Sequence, residues 1–117
     1  MIRARILPAI QGLSSRQAQM EQCYQDNHTY APDPPPTAGP CFRACNTEVA
    51  DHFEFKCDPE PTATTFTLTA TGQDMMNGFV YTVNQTDARK SSVGSPAPSG
   101  WLSSEKSCWI TSKGGAC

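Results

Sequence analysis

The sequence predicts an α+β domain, in which one long N-terminal helix packs on a four-stranded antiparallel sheet. Apolar residues recur with helical spacing over the first 26 positions, whereas later segments alternate between apolar and polar residues. Six cysteines in 117 residues, an even number in a short chain, indicate three disulfides. The length suits one small domain, which we expect to span residues 1–117.

The helix is predicted over residues 2–26 and ends near Asp26-Asn27. Steps of three or four residues bring six side chains to one face: Ile6, Ile10, Leu13, Gln17, Met20 and Tyr24. Gln17 is the polar member of this stripe. Pro8 lies near the start, where proline is tolerated in a helix. We expect the stripe to pack on the inner face of the sheet.

Proline and glycine break the helical pattern after residue 27, and we expect a connecting loop region over residues 28–50. Residues 31–36 read Ala-Pro-Asp-Pro-Pro-Pro, and Gly39-Pro40 follows, so the core of the loop is predicted over residues 31–47. Cys41 and Cys45 lie in or beside this loop. We expect disulfides at these two cysteines to hold the loop in place, since its sequence offers few other stabilising interactions.

Residues 51–117 are predicted to form the sheet and a disulfide-bonded C-terminal region. Four segments with period-two patterning are predicted as strands: residues 52–57, 65–70, 79–84 and 107–111. Alternation with one polar face is typical of an antiparallel sheet that is buried on one side. A surface loop is predicted over residues 91–100, which are rich in serine, proline and glycine.

The cysteines indicate an oxidising compartment, because reduced cytosolic proteins rarely carry so many. The six are Cys23, Cys41, Cys45, Cys57, Cys108 and Cys117. Three bridges among them allow fifteen connectivities. The alternative is a zinc site at Cys41, Cys45 and Cys57, but structural zinc sites usually have tighter cysteine pairs. The two histidines, His28 and His52, do not complete a ligand pattern.

The formal net charge of −2 argues against a nucleic-acid binder that is basic over its whole surface. The charge is uneven, since residues 21–74 contain nine of the eleven acidic residues, and both ends of the chain are basic. No apolar run is long enough to span a membrane, and no signal peptide is visible. A cysteine-rich chain without an export signal suggests that native sequence once preceded Met1.

Four segments together resemble the type IV pilins, in particular the PilE-like minor pilins. Residues 20–30, MEQCYQDNHTY, resemble the end of the pilin helix, and residues 64–72 and 78–85 resemble its second and third strands. Cys108-Trp109-Ile110-Thr111 through Cys117 resembles the closing CWxT…C of the group. Arg3-Ala4-Arg5-Ile6 is similar to the segment that follows the membrane part of the pilin helix.

The resemblance implies a pilin fold, closed at its C-terminus by a bridge between Cys108 and Cys117. It also implies that Cys57 pairs with a cysteine of the loop and that Cys23 takes the other, which leaves Cys41 and Cys45 unassigned between them. This chain departs from the group in having six cysteines rather than four, and Cys23 stands where tyrosine or phenylalanine is usual. An apolar half-helix that anchors the subunit in the inner membrane is expected before residue 1.

The function implied is that of a structural minor pilin, which acts by assembly with major and minor pilin subunits. We expect a surface pilus, with an inner-membrane and periplasmic pool before assembly, and roles in twitching, adhesion or DNA uptake. Arg3, Arg5 and Arg16 are candidates for pairing with neighbouring subunits. A secretion pseudopilin is a further alternative, although no calcium loop of the EF-hand type is visible.

The alternative from a different class is a DNA-binding pilin for natural transformation. The candidate contacts are four basic residues near the C-terminal strands: Arg89, Lys90, Lys106 and Lys113. Such contacts to phosphates would make binding depend on salt, and Trp101 or Trp109 would be available to stack on a base. No catalytic constellation, cofactor motif or metal-ligand pattern is recognisable, so we expect no enzymatic activity.

Overall fold

The computed structural model describes residues 2–32, 37–50, 52–57, 61–95, 97, 99–111 and 117; the side chains of residues 2–5 and 99 are outside this description. These residues form two α-helices and six strands: α1 (Ile2–Asn27), α2 (Pro40–Cys45), β1 (Glu48–Ala50), β2 (Phe53–Cys57), β3 (Thr67–Gly72), β4 (Phe79–Asn84), β5 (Arg89–Val93) and β6 (Ser103–Lys106). Two short 3-10 helices lie at Asp74–Met76 and Ser99–Trp101. Over this part of the chain, no helix has the length and apolar character needed to cross a bilayer.

The predicted helix is confirmed as α1, and its apolar stripe faces the sheet. Ile6, Leu13 and Met20 are fully buried there, whereas Tyr24 is partly exposed. Gly12 brings α1 close to β2, because a Cβ at this position would lie 2.6 Å from the ring of Phe55. The glycine therefore serves close packing between helix and sheet, which outweighs its low helix propensity.

The α+β class and the antiparallel sheet are confirmed, but the predicted number of strands is wrong. Six strands follow one another in the order β1-β2-β3-β4-β5-β6, each antiparallel to the next. The predicted strands at 52–57, 65–70 and 79–84 correspond to β2, β3 and β4. The sequence analysis missed three strands, β1, β5 and β6, which are three to five residues long and lack a clear apolar–polar alternation.

Two of the expectations for loops are also corrected. Ser91–Val93 belong to β5 rather than to a surface loop, since Ser91 pairs with Tyr81 and Val93 pairs with Phe79. The connecting region contains α2, which begins with Pro40 as its first residue and buries Cys41 and Ala44. Proline is well tolerated at that first helical position, so the same residue that suggested a loop begins a helix.

Residues 107–111, predicted as a strand, belong to no strand in the structure. They are held to the helix-side face of the sheet mainly by side chains. Ser91 Oγ donates to the carbonyl of Cys108 and accepts from the Ile110 N–H at 3.0 Å. Tyr81 donates its hydroxyl to the Ile110 carbonyl at 2.7 Å, and burial raises the pKa of this tyrosine. Trp109 and Ile110 are buried, but the segment that carries them does not pair with a strand.

Three disulfides join the elements: Cys23–Cys41, Cys45–Cys57 and Cys108–Cys117. The first ties the end of α1 to α2, and the second ties α2 to β2. The assignment that the resemblance left open is thus Cys41 with Cys23 and Cys45 with Cys57. All six cysteines are oxidised, so none is available as a zinc ligand and the zinc alternative is wrong.

Candidate nucleic-acid interface

The turn between β4 and β5 is organised by the side chain of Asn84. Its Oδ1 accepts hydrogen bonds from the Thr86 N–H at 2.9 Å, the Thr86 hydroxyl at 2.8 Å and the Ala88 N–H at 3.0 Å. The Asp87 N–H donates to the Asn84 carbonyl at 3.0 Å. Asparagine side chains commonly accept hydrogen bonds from the backbone that follows them, and here these bonds fix the conformation of the turn.

Asp87 stands at the tip of this turn with a left-handed φ of 60°. Its Oδ1 accepts from Gln17 Nε2 at 3.0 Å and from Arg89 Nε at 3.4 Å. The hydrogen bond from Gln17 and, after it, the charge of Arg89 hold the pKa of the Asp87 carboxyl below its usual range. Asp87 is therefore ionised at neutral pH, and it links α1 to the start of β5.

Arg89 lies between Asp87 and the indole of Trp109. Its guanidinium carbon is 4.4 Å from the centroid of the indole ring, a cation–π arrangement. Arg89 stands opposite Val83 in the β4–β5 register, which places it on the helix-side face of the sheet. Its side chain is still 45% exposed, so the guanidinium packs on Trp109 and also remains accessible to solvent.

Both tryptophans are buried, so neither ring is free to stack on a base. Trp109 is 6% exposed and donates its indole N–H to the Thr82 carbonyl at 2.9 Å. Trp101 is 4% exposed and packs against Phe79, with 5.8 Å between ring centroids. Trp109 therefore supports Arg89, and Trp101 packs in the core beside Phe79.

A cleft of about 710 Å³ opens beside Arg89, between α1, the β4–β5 turn and the C-terminal segment. Its walls come from all three elements: Ile10, Asp87, Ala88, Arg89, Lys90, Ser107, Cys108, Trp109, Thr111 and Cys117. The Cys108–Cys117 bridge closes one side of it. The disulfide that the sequence suggested would hold the C-terminus therefore also shapes this cleft.

The structure brings three of the predicted basic residues to one corner of the sheet. Lys106 pairs with Ser91, so it lies on the same face as Arg89 and two positions away in register. Lys90 pairs with Thr82, so its side chain starts from the opposite face of β5, although the residue still lines part of the cleft. We call the surface formed by Arg89, Lys90, Lys106 and the cleft the basic corner. Lys113 lies outside the described residues.

Arg16 is not part of this corner. Arg16 Nη2 lies 2.5 Å from Glu48 Oε1, and its guanidinium carbon is 4.3 Å from the centroid of the Phe55 ring. It therefore joins α1 to β1 and β2 at the opposite edge of the sheet. Arg3 and Arg5 lie in the first turns of α1, and their side chains are outside the described part of the chain.

The histidines do not form a reactive site. His28 is exposed after the end of α1, and His52 Nδ1 lies 4.0 Å from Asp74 Oδ2 at the surface. Among the described residues, no group of three or more His, Cys, Asp or Glu side chains is arranged to hold a metal.

Gln17 and Asp87 were not singled out as site residues by the sequence. Gln17 had one signal, its position as a polar residue in an apolar stripe. Asp87 lies within two residues of Arg89, but nothing local shows that its partner is 70 positions away along the chain. The pairing becomes visible only when α1 is laid across β4 and β5.

A family model described as type IV minor pilin ComP, DNA uptake sequence receptor, matches residues 1–89. No curated protein matches the chain. The matched range includes α1, the sheet through β4, the turn that carries Asp87, and Arg89 as the first residue of β5. It covers well over half of the chain, and it confirms the resemblance to minor pilins. The chain therefore belongs to the ComP family of type IV minor pilins, the family of DNA uptake sequence receptors.

Proposed function

We propose that this chain receives duplex DNA at the basic corner. The observation that carries the proposal is the presentation of Arg89, a charged side chain held in place by Trp109 and Asp87 beside an open cleft. An ordered cationic group at an exposed corner is suited to contact DNA, since it binds without first losing much side-chain freedom.

The charge distribution supports this corner over the rest of the surface. Residues 75–117 contain four basic residues and two acidic ones, whereas the remaining acidic residues all fall between 21 and 74. Glu48 and Glu54 place negative charge on β1 and β2, at the other edge of the sheet. An overall acidic chain approaches DNA most readily through a local basic surface, because the summed field steers the encounter.

A salt titration of binding to a mixed-sequence DNA duplex tests the proposal. Each lysine that neutralises a phosphate contributes about 0.9 to the slope of log K against log salt concentration. Lys106→Ala and Lys90→Ala are each expected to reduce that slope by about one unit. Fluorescence anisotropy on a labelled duplex, at several salt concentrations, measures it directly.

Arg43→Ala provides the matched control, because it removes one exposed positive charge from α2, near Arg16 and Glu48. We expect the slope of this variant to equal that of the unaltered chain. Equal losses for Arg43→Ala and Lys106→Ala would show that binding follows net charge and not the basic corner. Absence of binding even at low salt would overturn the proposal.

We also propose that the chain assembles into a surface pilus with other pilin subunits, after an inner-membrane and periplasmic stage. Membership of the minor pilin family supports this. Leu7, which is 54% exposed on α1, is one side chain that a neighbouring subunit would cover. The chain would then act by assembly and binding, without catalysis.

A further inference from the structure

We propose that Arg89 is the residue that reads a guanine in the DNA uptake sequence, with Asp87 and Gln17 as its positioning residues. This inference rests on the proposed function, since it requires that DNA reach the basic corner. It adds a division of labour within that corner: Arg89 contacts a base edge, and the lysines contact phosphates.

The geometry leaves one edge of the guanidinium free. Nε donates to Asp87, and the indole of Trp109 covers one face of the planar group. Within the described residues, no acceptor is bonded to Nη1 or Nη2 of Arg89, and the side chain is 45% exposed. The two Nη groups are the donors that remain for a ligand.

Two parallel donors on a rigid fork match the O6 and N7 acceptors of guanine in the major groove. A phosphate can also accept hydrogen bonds from the two Nη groups, but the neighbouring carboxylate of Asp87 disfavours phosphate binding. Its ionised carboxylate is 3.4 Å from Arg89 Nε and repels a phosphate approaching the same place. The carboxylate thus lowers the general attraction for the DNA backbone while it keeps the fork oriented. This combination favours a directed contact with a base.

The positioning extends back to α1. Gln17 Nε2 holds Asp87 Oδ1 at 3.0 Å, and Asn84 fixes the turn through its three accepted hydrogen bonds. Two elements distant in sequence therefore converge on the orientation of Arg89. A surface arginine that served only general charge attraction would need neither of them, because point-charge attraction does not depend on the direction of the fork.

The test is selection from a duplex library with a randomised core of about one helical turn. The unaltered chain is expected to enrich a motif that contains at least one guanine under strong preference. Arg89→Lys keeps the charge but not the fork, so its motif is expected to lose the preference at one guanine position. Discrimination at that position should fall by about 5- to 150-fold. Lys90→Ala is the control, expected to weaken all sequences alike and to leave the motif unchanged.

Asp87→Asn separates a positioning role from a merely structural one. Asparagine tolerates the left-handed backbone at this position, and the substitution removes one negative charge. We expect affinity for mixed-sequence duplexes to stay equal or to rise while discrimination at the guanine falls. A purely structural defect would lower both quantities together. Thermal melting curves of Arg89→Lys and Asp87→Asn check that each variant retains the fold.

The outcomes distinguish this inference from the proposed function. A motif retained by Arg89→Lys with uniformly weaker binding would overturn base reading by Arg89 but leave the basic corner as the DNA surface. A motif without a preferred guanine would also overturn it. Unchanged discrimination in Asp87→Asn would remove Asp87 as a positioning residue. Absence of any binding by the unaltered chain would overturn both proposals.

Discussion

Ser91 shows how one hydroxyl replaces a strand pairing. It is 3% exposed, donates to the Cys108 carbonyl, and accepts from the Ile110 N–H. Both partners lie in the segment that carries Trp109, which in turn supports Arg89. The serine therefore contributes to the candidate site without lying at its surface.

Ser91→Ala is expected to destabilise the fold by about 1–3 kcal/mol, because the buried N–H of Ile110 and the partly buried carbonyl of Cys108 each lose a partner. Urea unfolding followed by circular dichroism measures the free energy of unfolding. Ser92→Ala is the matched control, since the neighbouring serine points to the other face of the sheet. Equal effects of the two substitutions would contradict the role given to Ser91.

The basic residues of the site were predictable one by one, but their arrangement was not. Charge alone singled out Arg89, Lys90 and Lys106 in the sequence. Strand alternation then separates Lys90 from Arg89, and this depends on β5, which a run of Lys-Ser-Ser does not suggest. The support of Arg89 by Trp109 depends on a contact across 20 positions, which no local pattern reveals.

At the level of elements, patterns that reflect burial were predictable. α1 and β2, β3 and β4 carry the core, and their apolar periodicity is clear. β1, β5 and β6 are short strands with only two buried residues among them, Ser91 and Val93, so they lack that signal. The strand predicted at residues 107–111 failed for the converse reason, because its residues are buried without pairing.

The bridge between α1 and α2 is the element-level feature with the largest expected effect on stability. Cys23 and Cys41 are 18 positions apart, and both are buried. Replacing both with serine is expected to lower the free energy of unfolding by about 2–4 kcal/mol, since the unfolded chain gains freedom that the bridge removed. Chemical denaturation of the purified double variant measures this.

The double variant should keep its affinity for duplex DNA under conditions where it is folded, because Cys23 and Cys41 contribute nothing to the walls of the cleft. A loss of affinity in the folded variant would show that the region around α2 takes part in binding. Stability equal to that of the unaltered chain would contradict the expected contribution of the bridge.

On the scale of the whole molecule, the sheet separates two edges of different character. β1 and α2 carry the Arg16–Glu48 ion pair at one edge, whereas β5 and β6 form the basic corner at the other. The α1 helix crosses between them and contributes Arg16 to one side and Gln17 to the other. The chain belongs to a family of DNA uptake sequence receptors, and we propose that this asymmetry directs DNA to the basic corner.

The most direct test of this account is the mapping of amide chemical-shift changes in the ¹⁵N-labelled chain when a short DNA duplex is added. The account predicts that the largest changes fall in residues 85–91 and 106–111, with β1 and β2 nearly unaffected. Largest changes in β1 or α2, with the basic corner silent, would contradict it.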